Sequence, residues 1–285
     1  MELFRALAAL AEPPSGGGGL ARVAGALGLG EVPGAEEHTE LFVFQLYPFA
    51  SVYLGAEGMV GGEARDRVAG FLAALGSEPP AEADHLAVML AAYARLAELE
   101  EGEGEGWGAA RRAFLWEHLL CWLPAYLDKL AEVAPPFYRR WGALLDAALT
   151  AEARARGPAP EALPLHLRAA QGLGEPGGQG AEEFLRSLLA PARSGIVVTR
   201  ADLRRAARAL EVGARPGGRA FTLRSLLGQD SAATLGWLAA EADAWAARHA
   251  ARRDALGATA AWWEARARTT AEFLRGIRDD AADVP

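Results

Sequence analysis

The chain has 285 residues, of which 51% are hydrophobic, and a formal net charge of −8 at pH 7. A chain of this length can bury a large core and suggests about two domains. Alanine and leucine dominate while β-branched residues are few, which favours helices. The negative charge opposes nucleic-acid binding by the chain as a whole and favours cationic partners.

Cysteine content and hydropathy indicate a compartment. The single cysteine, Cys121, excludes a disulfide framework and is typical of a reducing cytoplasm. The first ten residues, MELFRALAAL, lack the basic start and the long apolar run of a secretory signal. No stretch approaches the roughly 20 apolar residues of a membrane-spanning helix. We therefore expect a cytoplasmic protein without a membrane span.

An aromatic segment over residues 36–54 predicts a helix that Pro48 kinks or breaks, because a proline ring clashes with the carbonyl one turn earlier. This segment and the residues after it contain a recognisable pattern, Tyr47-Pro48-x-x-Ser51-Val52-Tyr53-Leu54 and then Gly61-Gly62-Glu63. An aromatic helix packed on its neighbours accounts for most of these residues equally well.

A linker follows at residues 76–83, and its centre, Glu78-Pro79-Pro80, is the expected hinge. Asp84 stands where the N-cap of the next helix belongs, directly before His85 and an amphipathic run. Helix capping alone would explain an aspartate at this position.

Residues 111–150 are rich in aromatic side chains and are divided by prolines at 124 and at 135–136. Proline suits the first turn of a helix, so three helical segments are predicted. Phe114, His118 and Trp122 recur at a spacing of four and therefore share one ridge of a helix. Most of these residues are expected in the core. A histidine on such a ridge is more often structural than a ligand, and only the wider pattern favours a binding role for His118.

The composition changes beyond a glycine-rich linker at residues 172–180. Short β-branched or aromatic runs at 196–198 and 219–221 predict a two-stranded β-ribbon. Thr199 and Asp202 predict a capping box at the start of a helix over 200–210. Residues 193–224 contain eight arginines against Asp202 and Glu211, a local charge of +6.

Three patterns together resemble the TorD/DmsD family of molybdoenzyme-maturation chaperones over roughly residues 36–155. They are the Tyr47–Leu54 pattern, Glu78-Pro79 leading to Asp84-His85-Leu86, and Phe114–Tyr126 followed by Pro136-Phe137-Tyr138. The residue before the Asp-His pair is often proline in that family and is Ala83 here. The resemblance implies an all-α, TorD-like bundle over residues 1–172, with a hinge near 76–84. A mostly helical C-terminal module with the β-ribbon would occupy residues 180–285.

The resemblance also implies a function. The chain would be a cytoplasmic chaperone that binds the twin-arginine signal peptide and the apo form of a molybdopterin oxidoreductase, assists cofactor insertion and delays export. It would act without a metal or a catalytic site, as a monomer or homodimer, with weak guanine-nucleotide binding at most. The family pattern assigns peptide binding to six positions, Asp84, His85, His118, Trp122, Pro124 and Tyr126.

Two other functions are open to the sequence. The Asp84-His85 and Glu117-His118 pairs could belong to a metal-dependent hydrolase, although the five histidines are scattered and no phosphate loop is present. The arginine-rich segment could instead bind nucleic acid or regulate, with the ribbon as a wing and helix 200–210 in the major groove. The acidic whole and the family resemblance oppose nucleic acid, so docking on a client or intramolecular packing is preferred.

Overall fold

The computed structural model describes residues 2–14, 18–215 and 217–282. Their helices are α1 (Glu2–Ala11), α2 (Gly18–Ala26), α3 (Ala35–Thr39), α4 (Ala50–Leu54), α5 (Glu63–Ala74), α6 (Leu86–Glu103), α7 (Glu105–Phe114), α8 (Leu123–Val133), α9 (Pro136–Ala155), α10 (Leu165–Ala169), α11 (Pro176–Gln179), α12 (Ala181–Leu189), α13 (Pro191–Ser194), α14 (Arg200–Ala209), α15 (Arg219–Gln229), α16 (Ser231–Ala251), α17 (Arg253–Leu256) and α18 (Ala258–Ala282). Two π-helical segments, Glu40–Gln45 and Leu115–Leu119, continue α3 and α7. Within these described ranges, no helix combines the length and apolar composition needed to cross a membrane.

The predicted all-α class is confirmed, but the predicted β-ribbon is wrong. Among the described residues no strand is formed, and residues 219–221 are the first turn of α15. Residues 196–198 belong to neither a helix nor a strand and are buried as a connector between α13 and α14. Their β-branched side chains are thus satisfied by burial and not by strand pairing. The Arg219 guanidinium donates to the Val198 carbonyl at 3.0 Å, so the two segments meet through a side chain.

The proline breaks follow the prediction closely. The helical turn before Pro48 ends at Gln45, and residues 47–49 are not helical. Pro124 lies in the first turn of α8 and Pro136 begins α9. The missing proline N–H costs nothing there, because the first N–H groups of a helix have no intrahelical partner.

The chain divides into two compact units that do not follow sequence order strictly. The first unit contains residues 1–51 and 60–165, and the second contains residues 52–59 and 166–285. Gly58 shows why the short piece groups with the second unit. It has a φ of 61°, and a Cβ there would lie 3.1 Å from the Leu189 carbonyl oxygen. The predicted division at residues 172–180 instead keeps residues 52–59 with the amino-terminal part of the chain.

Aromatic contacts hold the first unit together. Helix α1 packs along α6, where the Phe4 and Tyr93 rings lie 5.0 Å apart, and α8 packs against α9. The Trp141 indole of α9 donates to the Leu7 carbonyl of α1 at 3.1 Å and satisfies a buried polar group. The Phe42 ring contacts both Tyr138 and Trp141 edge to face.

An ion network links three helices of this unit. The Arg111 guanidinium of α7, only 3% exposed, donates to Glu100 of α6 at 2.8 Å and to Glu152 of α9 at 2.5 Å. The Tyr93 hydroxyl donates to the same Glu152 oxygen at 2.6 Å, and Arg156 pairs with Glu100. Burial and the bond to Glu152 raise the pKa of Tyr93. Removing the central cation would therefore leave partly buried acceptors poorly compensated.

We expect Arg111→Met to lower the free energy of unfolding by about 3 kcal/mol, because one partner of a buried ion pair is removed. The matched control is Arg5→Met, which breaks an ion pair between Arg5, 55% exposed, and Glu98. That change should cost less than about 1 kcal/mol. Urea unfolding followed by circular dichroism measures both, and equal losses would contradict a structural role for the network.

The second unit is built on the two long helices α16 and α18, which pack on each other. The His249 ring lies between Trp245 and Trp263, with ring centroids 5.3 and 5.5 Å away, and its Nε2 is 3.0 Å from the Gly195 carbonyl oxygen. Gly195 has a φ of 75°, and a Cβ there would meet the Ala267 main-chain nitrogen at 2.4 Å. Only glycine allows α13 to approach α18 this closely.

Candidate peptide-binding site

The hinge ends in a short main-chain pairing with the Pro48 region. The Ala50 amide donates to the Asp84 carbonyl at 3.0 Å, and the Leu86 amide donates to the Pro48 carbonyl at 2.8 Å. Phe49 and His85 form the antiparallel bridge between them. Two of the three sequence patterns that carry the family resemblance are therefore in direct contact.

The Asp84 side chain strengthens this pairing from inside the core. Asp84 is fully buried, and its Oδ2 accepts the Ser51 amide at 2.9 Å, in the first turn of α4. Oδ1 is buried without a hydrogen-bond partner in the part of the chain that the structure describes. The Ser51 hydroxyl in turn accepts the Gly61 amide at 3.0 Å. Asp84 thus caps α4 and not the helix that follows it in the sequence, so the predicted N-cap assignment is wrong.

His85 is the N-cap residue of α6. Its Nδ1 accepts the Ala87 amide at 3.3 Å, and its ring packs on Phe49 at 4.9 Å. Burial lowers the pKa of His85, while the nearby carboxylates of Glu12 and Glu82 act in the opposite direction. The neutral ring is the form that can accept a hydrogen bond at Nδ1. His85 therefore has the N-cap role that the sequence assigned to Asp84.

We expect Asp84→Ala to expose the Ser51 amide to hydrogen exchange and to cost about 2 kcal/mol of stability, because a buried N–H loses its acceptor. His85→Ala should instead affect the Ala87 amide, with a loss of about 0.5 kcal/mol for a long capping bond. Amide exchange measured by NMR separates the two. Loss of Ala87 protection in Asp84→Ala, with Ser51 unchanged, would restore the sequence-based assignment.

The residues of the aromatic segment that are predicted to contact the peptide lie in the core of the first unit. Trp122, Pro124 and Tyr126 are buried, and His118 is 8% exposed. The Trp122 indole donates to the His118 carbonyl at 2.9 Å and meets the Tyr126 ring edge to face. Direct peptide contact would require these side chains to be uncovered. Their assignment to peptide binding stays a prediction, and in this structure they pack the core.

His118 itself sits in the π-helical turn Leu115–Leu119. The turn is closed by the Leu120 amide, which donates to the Leu115 carbonyl at 2.8 Å. The His118 ring is in contact with the rings of Phe71 and Phe114 at 5.2 and 5.3 Å. The extra residue of a π-turn rotates the side chains after it, which brings this ridge toward α5.

A large apolar groove lies next to the hinge. Its volume is about 540 Å³, and it is lined by Leu72, Leu75, Gly76, Ser77, Pro80, Val88, Ala91, Ala92, Arg95, Leu96, Leu99 and Trp107. The floor is the face of α6 between Val88 and Leu99, and Pro80 of the hinge forms part of the wall. Ligand-binding clefts of proteins commonly have this size and apolar character.

The hinge segment that lines the groove also contains two glutamates. Glu78 and Glu82 are exposed and lie two residues on either side of Pro80. Neither has an ion-pair partner within the described part of the chain. Arg95 on α6 is 63% exposed and pairs with Glu98 at 3.6 Å. The predicted hinge residues Glu78, Pro79 and Pro80 are thus placed beside an apolar surface.

Sequence reasoning missed the groove residues although a signal was present. Helix α6 is apolar on two faces, since Leu90 and Tyr93 are fully buried while Val88 and Ala92 remain half-buried. A helix that only covers a core shows one apolar stripe. A second stripe therefore indicated a further apolar surface.

The residue pairs of the hydrolase alternative have other contacts. The Glu117 carboxylate accepts the Leu165 amide at 3.1 Å, and the Cys121 thiol donates to the Glu117 carbonyl at 3.0 Å. Among the described residues, Asp84, His85, Glu117 and His118 do not join a third such residue in a group that could hold a metal ion.

Comparison with known families agrees with the sequence patterns. Residues 19–128 match the family model described as nitrate reductase delta subunit, whereas residues 129–285 lie outside the match. The chain has no significant match among curated proteins or among solved structures. The matched segment includes the Pro48 region, the hinge, the Asp84-His85 pair and the whole of α6. The predicted resemblance to a redox enzyme maturation chaperone family is confirmed over this segment, since residues 19–128 are similar to the nitrate reductase delta subunit family.

Proposed function

We propose that the first unit binds the twin-arginine signal peptide of a molybdopterin oxidoreductase catalytic subunit, in the apolar groove beside the hinge. Binding holds the apoenzyme while its cofactor is inserted and delays its export. The observation that carries the proposal is an apolar groove lined by Ser77 and Pro80 of the hinge, the same segment that contains the exposed glutamates Glu78 and Glu82. The family match supports the client class.

The dimensions of the groove suit the apolar part of such a peptide. The lining residues of α6 run from Val88 to Leu99, which corresponds to about 16 Å at 1.5 Å per residue. A helical stretch of about 11 apolar residues has that length, and signal peptides contain apolar regions of about 7–15 residues. Ala91 and Ala92 keep the floor low, so a partner helix can approach closely, as in other helix-in-groove complexes.

The hinge carboxylates suit the charged part of the peptide. Glu78 and Glu82 can each accept a guanidinium through two parallel hydrogen bonds, which lysine cannot reproduce. Their exposure leaves them accessible without a rearrangement of the core. Asp84 then acts by fixing the end of the hinge and not by pairing with the peptide.

The remaining expectations are part of the same proposal. A chaperone of this kind acts in the cytoplasm, before export, and needs no catalytic group of its own. The weak guanine-nucleotide binding and the monomeric or homodimeric state stay predictions.

We expect Ala91→Trp to weaken binding of an Arg-Arg peptide with an apolar segment by at least about tenfold, because the indole fills the groove. Ala91 is exposed, so the fold should tolerate the change. The control is Ala74→Trp, an exposed alanine of α5 outside the groove. Calorimetry with the peptide and a scrambled, charge-matched peptide measures this, and equal affinity for both peptides would refute the proposal.

The charged contact has its own test. The double change Glu78→Gln and Glu82→Gln should weaken the peptide about tenfold, since each exposed ion pair contributes up to about 1 kcal/mol. A peptide in which both arginines are replaced by lysine should also bind the unchanged protein more weakly, because lysine cannot form the two parallel hydrogen bonds. Glu36→Gln with Glu37→Gln, two exposed glutamates of α3, is the charge-matched control. If the control pair weakens binding equally, the contact is a general effect of net charge.

A further inference from the structure

The second unit contains a small polar cleft, whose lining residues come from a later part of the sequence than those of the groove. Its volume is about 110 Å³, and it is lined by Arg200, Arg204, Ala214, Arg215, Gly217 and Thr222. No carboxylate is among the described residues that line it. Three cationic side chains therefore converge on one cleft without an acidic residue in its wall.

Two of the three arginines at the cleft, Arg204 and Arg215, are available to a ligand. Arg200 and Arg204 are four residues apart on α14 and share one ridge, where like charges repel each other. Arg200 also lies in the first turn of α14, the end of a helix that favours anions. Within the described residues the Arg204 and Arg215 side chains have no ion-pair partner. A bound anion would remove this repulsion.

Other arginines of the same segment are already neutralised. Arg205 pairs with Asp202 and with Glu241, both at 2.9 Å. Arg193 pairs with Glu183, and Arg224 pairs with Glu182. Arg204 and Arg215 at the cleft differ from these three arginines in having no ion pair among the described residues.

The loop that carries Arg215 is fixed in position. The Gln229 side chain of α15 both accepts the Gly213 amide and donates to the Gly213 carbonyl, each at 2.9 Å. The Thr222 hydroxyl donates to the Arg215 carbonyl at 3.3 Å. The loop is therefore tied to α15 at two places. An anchored main chain at Arg215 reduces the conformational entropy that is lost when a ligand binds.

The amino end of α15 adds positive potential. This 11-residue helix begins at Arg219, and its N-cap residue, Gly218, has no side chain to accept the first N–H groups. Gly217, the preceding residue, lines the cleft. Uncapped N–H groups beside clustered arginines favour an oxyanion.

We propose that this cleft binds a phosphate group, either free phosphate or a phosphate monoester. Liquid water occupies about 30 Å³ per molecule, so the cleft has room for about three waters or one tetrahedral oxyanion. Guanidinium groups match phosphate oxygens in a bidentate geometry. A phosphate can use three arginines at once, whereas a carboxylate offers only two oxygens. The site is independent of the signal-peptide groove.

Calorimetry with inorganic phosphate at constant ionic strength tests the proposal on the full chain. Arg204→Gln and Arg215→Gln should each weaken phosphate at least about tenfold, the change expected when one charge-assisted bond is lost. The control is Arg208→Gln, an exposed arginine of α14 outside the cleft, which should leave affinity unchanged. Phosphate should also raise the melting temperature of the wild type but not of Arg204→Gln.

A second arm with phenyl phosphate separates the two sources of the ligand. Binding of both ligands assigns the cleft to monoesters, and binding of inorganic phosphate alone assigns it to the free ion; either supports the site. Absence of phosphate binding at about 10 mM, a concentration far above the Kd of a built site, would overturn it. So would tighter binding of duplex DNA that Arg208→Gln weakens as much as Arg204→Gln, since the surface would then be an extended nucleic-acid contact.

Discussion

One buried contact, from the Asp84 carboxyl group to the Ser51 amide, joins segments 33 residues apart and fixes the geometry of the candidate site. Together with the main-chain bonds at Ala50 and Leu86, it fixes the carboxyl-terminal end of the hinge. The other end is held by the Ser77 amide, which donates to the Leu72 carbonyl at 3.1 Å. Pro80 is therefore presented as a groove wall between two anchored ends. A hinge anchored in this way keeps Pro80 at the groove without a binding partner.

The sequence patterns that identify the family are mostly core residues in the structure. His118, Trp122 and Tyr126 pack against other rings, and Ser51 and Asp84 hold main-chain groups. Such residues tolerate few substitutes because a tightly packed interior penalises changes of volume and an unsatisfied buried N–H is costly. A match to these patterns therefore reports the fold first. The binding surface that we propose consists of the exposed side chains that this core positions on α6 and the hinge.

Interactions between residues close in sequence were enough to predict much of the fold, but they were not enough to predict the candidate site. Helices, the proline breaks at Pro124 and Pro136, and the Thr199–Asp202 capping box follow from interactions within one turn and were predicted correctly. The β-ribbon was wrong because burial of residues 196–198 replaced strand pairing, an effect of tertiary packing on a short run. Asp84 was assigned to the wrong helix for the same reason, since its acceptor function is used 33 residues away. The groove depends on the packing of α5, α6 and α7, and the second apolar stripe of α6 indicates only one of its walls.

The arginine-rich segment shows how a charge count differs from a charged surface. A net charge of +6 over residues 193–224 suggested a basic face for nucleic acid. In the structure, Arg193, Arg205 and Arg224 form ion pairs, and Arg219 donates to a carbonyl. Non-specific nucleic-acid affinity scales with the number of phosphates neutralised, so each internal pair removes one contact from an extended interface. The missing ribbon removes the predicted wing as well. Arg204 and Arg215, which have no ion pair among the described residues, both line one small cleft, an arrangement that suits a single compact anion better than a polyanion.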